Sequence, residues 1–289
     1  MFMKLTKDTK ILIIGLGVMG GSYAKALSDK GYKVKCITKE LADIRYGMEH
    51  GMICYGTAEV EPELVKEAEL IVFALYPTAF VNWVKKYQHL FSAGTVITDV
   101  TGVKSEVVYK VQGMLREDVE YIPAHPMAGR ERSGVEFADP AVFNGANYIV
   151  TPTEKNSLEA IKLCKALGDE LGFLRISELS PEEHDEMIAF LSQLTHIIAV
   201  TLMNCNDADG LEKYTGDSFR DLTRIAKIND RMWSELFLMN KDTLLTEMDR
   251  FIEEFTEFRE YLANSDGKRM REKMRSSSAR RALFDKPAK

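Results

Sequence analysis

Up to about residue 176, the 289-residue chain alternates short apolar segments with amphipathic helical stretches. The apolar segments are KILIIG, YKVKCIT, ELIVFAL, GTVITDV, VEYIPA and ANYIVTP. Uninterrupted apolar runs of this length, set between helices, indicate strands that are buried on both faces and lie mainly parallel. The alternation predicts an α/β fold built on a doubly wound, mainly parallel sheet.

After GFLRIS the strand signals end, and the rest of the chain has the pattern of helices. Ser180 can cap a helix that begins at Pro181, with Glu183 closing a capping box. We therefore predict an α/β domain over residues 1–177 and an all-helical domain over residues 178–289. The stretch IAFLSQLTHIIAVTLM is apolar on all sides and must be covered on all of them. A small helical domain cannot do this alone, so we expect a homodimer through the C-terminal helices.

A glycine-rich turn joins the first predicted strand to the first helix. In KILIIGLGVMGGSYAKAL, Gly15, Gly17 and Gly20 form a G-x-G-x-x-G pattern. Such glycines permit a tight turn, the approach of a pyrophosphate and close helix–strand packing. Because strand, helix and second strand are all in place, a Rossmann-type dinucleotide site is favoured over a plain turn. The predicted cofactor-binding residues of the turn are Gly15, Leu16, Gly17, Val18, Met19 and Gly20.

The residues that end the second strand indicate which nicotinamide cofactor is bound. NAD enzymes usually have an acidic residue there, which binds the ribose 2′-hydroxyl. This chain has Thr38 and Lys39, a hydroxyl followed by a cation, which suits a 2′-phosphate. We therefore expect NADP to be favoured, with NAD as the alternative because Glu40 follows directly and can serve a ribose.

Composition disfavours several classes of protein. The formal net charge of −6 gives no reason to expect nucleic acid or a membrane as a partner. The four cysteines are scattered among apolar neighbours without a C-x-x-C pair, as buried thiols of a reducing cytosol are. We find no signal peptide, no apolar run approaching the length of a membrane span and no metal-binding pattern. We expect a soluble, cytoplasmic protein.

One histidine has an unusual setting, in the segment YIPAHPMAGRERSGVEF. His125 follows the predicted strand VEYIPA, at the sheet edge where ligands bind in such folds. Pro123 and Pro126 fix the backbone on either side of it. A stiffened loop of this kind suits a general base, and a structural histidine is the alternative.

Polar residues on the predicted helices offer contacts for a substrate. On the long apolar helix, His196 shares a face with Gln193, either as a ligand contact or as a satisfied core residue. In FRDLTRIAKI, Asp221 is within reach of Arg224 and can steady its guanidinium for two-point contact with a carboxylate. The alternative is a surface ion pair of little energetic value.

Three segments, in order behind the glycine motif, resemble the prephenate dehydrogenase family, which includes arogenate dehydrogenases. They are AHPMAGRERSGVEFADPAVFNGANYIVTP, SPEEHDEMIAFLSQLTHIIAVTLMN and DSFRDLTRIAKINDRMW. The resemblance implies that His125 is the catalytic histidine and that Arg224 binds a substrate carboxylate. It also implies further substrate-site residues, namely His196, the acidic residues Glu131 and Asp221, and Trp233 near a site shared between subunits.

The chain departs from the family at one position. The family has D-x-x-S-x-K after its fifth strand, with a serine that hydrogen-bonds the catalytic histidine and the substrate hydroxyl. Here the segment is DVTGVK, with Gly102 at the serine position. Thr101 is adjacent and is the candidate to supply the hydroxyl.

The resemblance implies an NAD(P)-dependent enzyme that oxidatively decarboxylates prephenate to 4-hydroxyphenylpyruvate, on the route to tyrosine. Arogenate dehydrogenase is the nearest alternative, and the motifs do not separate the two. A β-hydroxyacid dehydrogenase is disfavoured because the long helix lacks the lysine that such enzymes need. A nicotinamide-sensing protein without turnover is the remaining alternative, although it would not need both His125 and Arg224.

Overall fold

The computed structural model, which describes residues 4–129 and 132–285, begins with strands and helices in alternation. The elements are β1 (Ile11–Ile14), α1 (Val18–Asp29), β2 (Val34–Ile37), α2 (Leu41–Glu49), β3 (Tyr55–Thr57), α3 (Pro62–Glu67), β4 (Leu70–Phe73), α4 (Pro77–Tyr87), β5 (Val96–Asp99), α5 (Ser105–Gln112) and β6 (Glu120–Tyr121). All six strands pair in parallel, in the order β3-β2-β1-β4-β5-β6. The predicted doubly wound α/β fold is confirmed. Its strand order reverses between β1 and β4, where such folds bind their ligands.

The central strands are buried on both faces, as their apolar sequences predict. On β1, Ile11 and Ile13 belong to one apolar cluster, whereas Leu12 and Ile14 belong to another. Helix α1 contributes to the first cluster and α4 to the second. Helices therefore cover both sides of the sheet, which removes the apolar surface of its strands from water.

A second, smaller sheet was not predicted. It consists of β7 (Ala124–Met127), β8 (Asn147–Val150) and β9 (Arg175–Glu178), with α6 (Leu158–Leu171) between the last two. β7 pairs antiparallel with β8, and β8 pairs parallel with β9. The segments VEYIPA and ANYIVTP therefore do not both extend the main sheet. The chain changes sheet at Pro123, which has no N–H to donate to either ladder.

The C-terminal elements are helical, as predicted. They are α7 (Pro181–Ile188), a π-helical segment (Ala189–Leu194) and α8 (Thr195–Asn204), which run on without a break, then α9 (Asp217–Thr223), α10 (Asp230–Met239), α11 (Lys241–Ala263) and α12 (Gly267–Arg281). Ser180 and Glu183 form the predicted capping box at the start of α7. The described residues up to Lys241 form one compact unit, and the described residues from Asp242 onward form another. The domain boundary between residues 177 and 178 stays a prediction.

The continuous helix Pro181–Asn204 corrects the expectation about apolar runs. Among the described residues it is the one helix that is long and apolar enough, by length and composition, to cross a membrane, with a mean hydropathy of 1.5. This is weak evidence for a span, because the core helix of a soluble protein meets the same two conditions. The expectation that no run approaches this length was nevertheless wrong.

The cysteines also differ in part from expectation. Cys36 and Cys164 are buried as predicted, whereas Cys54 and Cys205 are exposed, and all four are free. Cys54 lies just before β3 and Cys205 just after α8, where the chain leaves regular structure at the surface. Apolar neighbours in the sequence therefore do not show that a cysteine is buried when it lies at the end of a helix or strand.

Candidate active site

The glycine motif forms the predicted turn between β1 and α1. Gly15 has φ +95°, and a Cβ there would lie 2.5 Å from the carbonyl oxygen of Ala74. A Cβ on Gly20 would lie 2.0 Å from the carbonyl oxygen of Gly15, so the helix packs directly on the turn. A Cβ on Gly17 would meet no atom of the described residues within 4 Å. Because Gly17 is the N-cap of α1, this open space lies at the positive end of a helix, which fits a pyrophosphate.

The other predicted cofactor residues lie around this turn. Leu16 is buried, whereas Val18 and Met19 are partly exposed. Thr38, directly after β2, accepts a hydrogen bond through Oγ1 from the backbone N–H of Leu16 at 3.4 Å, and Lys39 is exposed. The structure therefore brings the turn and the end of β2 together, as a dinucleotide site requires.

Carboxylates also gather beyond the end of β2. Asp43 lies in the first turn of α2, and Glu40 is the N-cap of that helix. Burial, followed by the negative charges of Glu40 and Glu136, raises the pKa of the Asp43 carboxyl. The end of β2 therefore has the cation Lys39 and carboxylates close together in sequence.

His125 lies on β7, opposite Ile149 of β8, so the expectation of a loop was wrong. The hydrogen bonds of the small sheet hold its backbone in addition to the flanking prolines. A Cβ on Gly102, just beyond the end of β5, would lie 3.8 Å from His125 Nε2. Burial, followed by His184 and Lys104, lowers the pKa of His125 well below its usual value. The imidazole is therefore neutral near pH 7, as a general base must be.

A second histidine, which the sequence did not single out, contacts the first. His184 Nε2 lies 2.8 Å from His125 Nδ1, and His184 Nδ1 lies 2.8 Å from Asp185 Oδ1. The Asp185 carboxylate accepts hydrogen bonds from the backbone N–H groups of Lys104 and Ser105, both at 2.8 Å. Two side chains, Asp185 and His184, thus connect the start of α5 to His125. The available signal was the adjacent His-Asp pair within SPEEHDEM.

A buried polar cluster surrounds Asp99 at the end of β5. Lys104 Nζ donates to Asp99 Oδ2 at 2.7 Å and to the carbonyl oxygen of Ala124 at 2.6 Å. The Tyr121 hydroxyl donates to Asp99 Oδ1 at 2.9 Å. Thr101 is also buried, and its hydroxyl contacts Asp99 Oδ2 and the carbonyl oxygen of Val103. A hydroxyl has one proton to donate, so this geometry does not favour Thr101 as the replacement for the family serine.

Two predicted substrate residues meet on the C-terminal helices. The rings of His196 and Trp233 have their centroids 3.7 Å apart, and His196 Nδ1 lies 2.8 Å from a carbonyl oxygen of the preceding turn. Gln193 is fully buried instead. Its amide donates to the Leu236 carbonyl oxygen at 3.1 Å and accepts from Asn240 at 2.9 Å. Gln193 therefore joins the π-helical segment to α10, and the geometry does not favour it as a substrate contact.

The arginine segment is less regular than predicted. Helix α9 ends at Thr223, and Arg224 begins a short 3₁₀ turn, so the expected single helix through FRDLTRIAKI was wrong. Arg224 and Asp221 are both exposed. Their roles stay predictions, and Glu131 lies outside the described residues. No group of three His, Cys, Asp or Glu side chains suited to a metal ion occurs within residues 4–129 and 132–285.

Two family models match this chain. The model described as "Prephenate dehydrogenase, nucleotide-binding domain" matches residues 23–173. The model described as "Prephenate dehydrogenase, dimerization domain" matches residues 180–276. The chain belongs to the prephenate dehydrogenase family. The glycine turn precedes the first matched range, so its assignment rests on the geometry described above.

Similar proteins extend the likeness to prephenate dehydrogenases over nearly the whole chain. A prephenate dehydrogenase of Bacillus subtilis is 31% identical over 278 residues, which cover 93% of this chain and 74% of that protein. A cyclohexadienyl dehydrogenase of Zymomonas mobilis is 30% identical over 294 residues, covering 96% and 97%. The structure of A. aeolicus prephenate dehydrogenase with hydroxyphenyl propionate and NAD+ has a TM-score of 0.88 at 28% identity, covering 98% of this chain and 100% of that one.

Gly102 is where this member of the prephenate dehydrogenase family departs from the family pattern. A Cβ at this position would lie 3.5 Å from Leu236 Cδ1 and 3.8 Å from His125 Nε2, which are ordinary van der Waals distances. A small side chain would therefore fit. Because Gly102 has no side chain, there is room beside His125 Nε2, the ring nitrogen that does not contact His184.

Proposed function

We propose that the chain catalyses the NAD(P)-dependent oxidative decarboxylation of prephenate to 4-hydroxyphenylpyruvate in tyrosine biosynthesis. The observation that carries the proposal is His125, whose Nε2 lies beside Gly102, just beyond the end of β5, and whose pKa is held well below its usual value by burial. Membership of the prephenate dehydrogenase family supports it. A protein that only sensed the nicotinamide cofactor would not need a general base fixed in position near the end of β5.

The role of His125 follows from the chemistry of the substrate. A nicotinamide held at the glycine turn would supply the acceptor for the hydride of the ring carbon that carries the hydroxyl. His125 Nε2 takes the hydroxyl proton, so that carbon becomes a carbonyl. Loss of carbon dioxide leaves its bonding electrons in the ring, which becomes aromatic with a phenolate oxygen that takes up one proton. One proton is removed and one returned, so His125 is neutral again at the end, and such base catalysis contributes roughly 10²–10⁴ in rate.

The substrate also needs partners for its two carboxylates and its ring. We propose Arg224 for a carboxylate, because a guanidinium offers two parallel N–H donors. Asp221 and Glu131 would orient that arginine. The adjacent rings of His196 and Trp233 are proposed to contact the remainder of the substrate. Arogenate differs from prephenate in an amine on its side chain, and it is the alternative substrate.

Activity assays and one substitution test the proposed function. The purified protein should turn over prephenate, and arogenate should be assayed beside it with each cofactor. His125→Asn should keep the fold and cofactor affinity while losing orders of magnitude in kcat, because asparagine cannot take a proton. Turnover of neither substrate, or near-wild-type kcat in His125→Asn, would contradict the proposal.

We propose further that NADP is preferred over NAD. Thr38 and Lys39 stand where NAD enzymes usually have a carboxylate, and Thr38 hydrogen-bonds the glycine turn at Leu16. A cation there attracts a 2′-phosphate, and the lack of an acid at the first position removes a repulsion. The opposing charges are Glu40, Asp43 and Glu136.

We propose that a homodimer forms through the C-terminal helices. The helix Pro181–Asn204 is apolar, yet only 28% of its most apolar stretch is buried within one chain. Phe190 and Leu191 are 53% and 46% exposed. An apolar face of this kind needs cover, and a second copy supplies it in a chain that matches a dimerization domain. Light scattering should give twice the chain mass of 32.7 kDa, and a monomer would contradict the proposal.

A cytoplasmic location is proposed from the free cysteines.

A further inference from the structure

We propose that His184 and Asp185 are positioning residues that fix which nitrogen of His125 acts as the base. The inference rests on the proposed function, because it says how the base of that reaction is prepared. It concerns two side chains that lie behind His125, on the side of its Nδ1. Their contact with the proposed base is the hydrogen bond between His184 Nε2 and His125 Nδ1.

The first step is the protonation of Asp185. Burial raises the pKa of this carboxyl, but its hydrogen bond and electrostatic interaction with His184, followed by hydrogen bonds from Ser105, outweigh burial and hold the pKa below its usual value. A carboxylate can only accept hydrogen bonds, so His184 Nδ1, at 2.8 Å, must be the donor. The opposite tautomer of His184 would face a lone pair towards the carboxylate and lose this bond.

The second step is the tautomer of His184. Burial lowers the pKa of His184, so its ring is neutral near pH 7. A neutral imidazole with its proton on Nδ1 has a lone pair on Nε2. His125 Nδ1 lies 2.8 Å from that nitrogen and must therefore donate to it. Neutral His125 then carries its proton on Nδ1 and has its lone pair on Nε2, the nitrogen beside Gly102.

The structure around the pair keeps this arrangement in place. Asp185 accepts from two backbone N–H groups at the start of α5, and its carbonyl oxygen accepts from Asn240 Nδ2 at 2.9 Å. The charges that face the two histidines are Lys104, Asp99 and Asp185. When His125 becomes an imidazolium during the reaction, its bond to His184 becomes charge-assisted, which stabilises the protonated base.

Two substitutions distinguish the role of His184 as a hydrogen-bond acceptor from the role of its side-chain volume. His184→Gln keeps an amide oxygen that can accept from His125, whereas His184→Phe keeps a ring without an acceptor. His184→Phe should lower kcat roughly tenfold to a thousandfold with little change in KM, and His184→Gln should retain most of the activity. The pH profile of kcat should keep its wild-type shape in His184→Gln and change in His184→Phe.

A readout without substrate accompanies the kinetics. Two-bond proton–nitrogen spectra of ¹⁵N-labelled free enzyme report which ring nitrogen carries the proton, and the His125 signals are identified by their loss in His125→Asn. Wild type and His184→Gln should show His125 protonated on Nδ1, and His184→Phe should not.

The outcomes are distinguishable. A wild-type His125 protonated on Nε2 would overturn the inference, as would a His184→Phe enzyme with wild-type tautomer and kcat. If His184→Phe fails to fold, the spectra of wild type and His184→Gln still decide. If the tautomer is as expected but neither prephenate nor arogenate is turned over, the proposed function fails and the inferred tautomer stands.

Discussion

Lys104 Nζ lies 2.7 Å from Asp99 Oδ2, and neither side chain is exposed to solvent. The ammonium also donates to the carbonyl oxygen of Ala124, the residue before His125. Burial lowers the pKa of Lys104, and the charge of Asp99 opposes this. The pair therefore ties the end of β5 to the start of β7, the strand that presents the proposed base.

Removing the ammonium group of Lys104 should destabilise the fold. In Lys104→Met, the buried Asp99 carboxylate loses its counter-charge, which should lower the free energy of unfolding by about 3–5 kcal/mol. Lys110→Met, on the helix that follows Lys104, is the matched control, because Lys110 pairs with Glu106 at the surface and its loss should cost about 1 kcal/mol or less. Urea unfolding monitored by tryptophan fluorescence measures both. If both substitutions lowered the free energy of unfolding equally, the buried Lys104–Asp99 pair would contribute no more to stability than the surface pair.

The free energy of unfolding should also fall in acid because of His125 and His184. Burial lowers the pKa of both His125 and His184 in the folded state. As the pH falls below about 6.5, the unfolded chain binds protons that the folded chain does not, so the free energy of unfolding decreases until the lowered folded pKa values are passed. His184→Gln should show a smaller decrease than wild type between about pH 7.5 and about pH 5.5.

The control for this experiment is His50→Gln, which removes an exposed histidine. It should follow the wild-type dependence on pH. If His184→Gln also followed wild type, the burial of His184 would not contribute to acid sensitivity.

Much of the fold was predictable because its signals are local. The apolar run of β1, the glycines behind it and the capping box at Ser180 each lie within a few residues. Hydrophobic period, turn geometry and capping act over that range, so the sequence predicted the parallel sheet and the helical C-terminal part. His125 was found for the same reason, from its two neighbouring prolines.

The missed features are non-local. β7 is short and contains Pro126, so only its pairing with β8, more than twenty residues later, makes it a strand. His184 stands among glutamates in SPEEHDEM, which has the pattern of an exposed helix start. Its burial arises because Asp185 hydrogen-bonds the backbone at Lys104, 81 residues earlier. Neither contact leaves a periodic pattern in the sequence.

Restoring a hydroxyl at Gly102 should help the reaction. The modest van der Waals contacts of a Cβ at this position show that a serine fits, with its hydroxyl within reach of His125 Nε2. A net hydrogen bond of about 0.5–1.5 kcal/mol corresponds to an increase in kcat/KM of roughly two- to tenfold for Gly102→Ser. Gly102→Ala fills the same space without a hydroxyl and should give no increase. If alanine and serine had the same effect, the hydroxyl would have no part in it.

Arg224 should act as a two-point carboxylate contact. Arg224→Ala should raise KM roughly ten- to a hundredfold and lower kcat much less, because the contact exists in ground and transition states alike. Arg224→Lys should rescue little, since an ammonium lacks the planar pair of donors. Arg220→Lys is the control, because Arg220 instead pairs with Asp217 at the surface. If Arg224→Lys had the wild-type KM, only the positive charge of Arg224 would matter, and the two-point contact would be wrong.

The cofactor preference should reverse with one residue. A carboxylate in Thr38→Asp would bind the free ribose hydroxyl of NAD and repel the 2′-phosphate of NADP. Wild type should favour NADP by roughly tenfold in kcat/KM through the charge of Lys39, and Thr38→Asp should favour NAD. Thr38→Asn, which has the size of aspartate without its charge, should leave the order of the two cofactors unchanged. A wild-type enzyme that favoured NAD would mean that the carboxylates beyond β2, with Glu40 the nearest in sequence, outweigh Lys39 and bind the ribose.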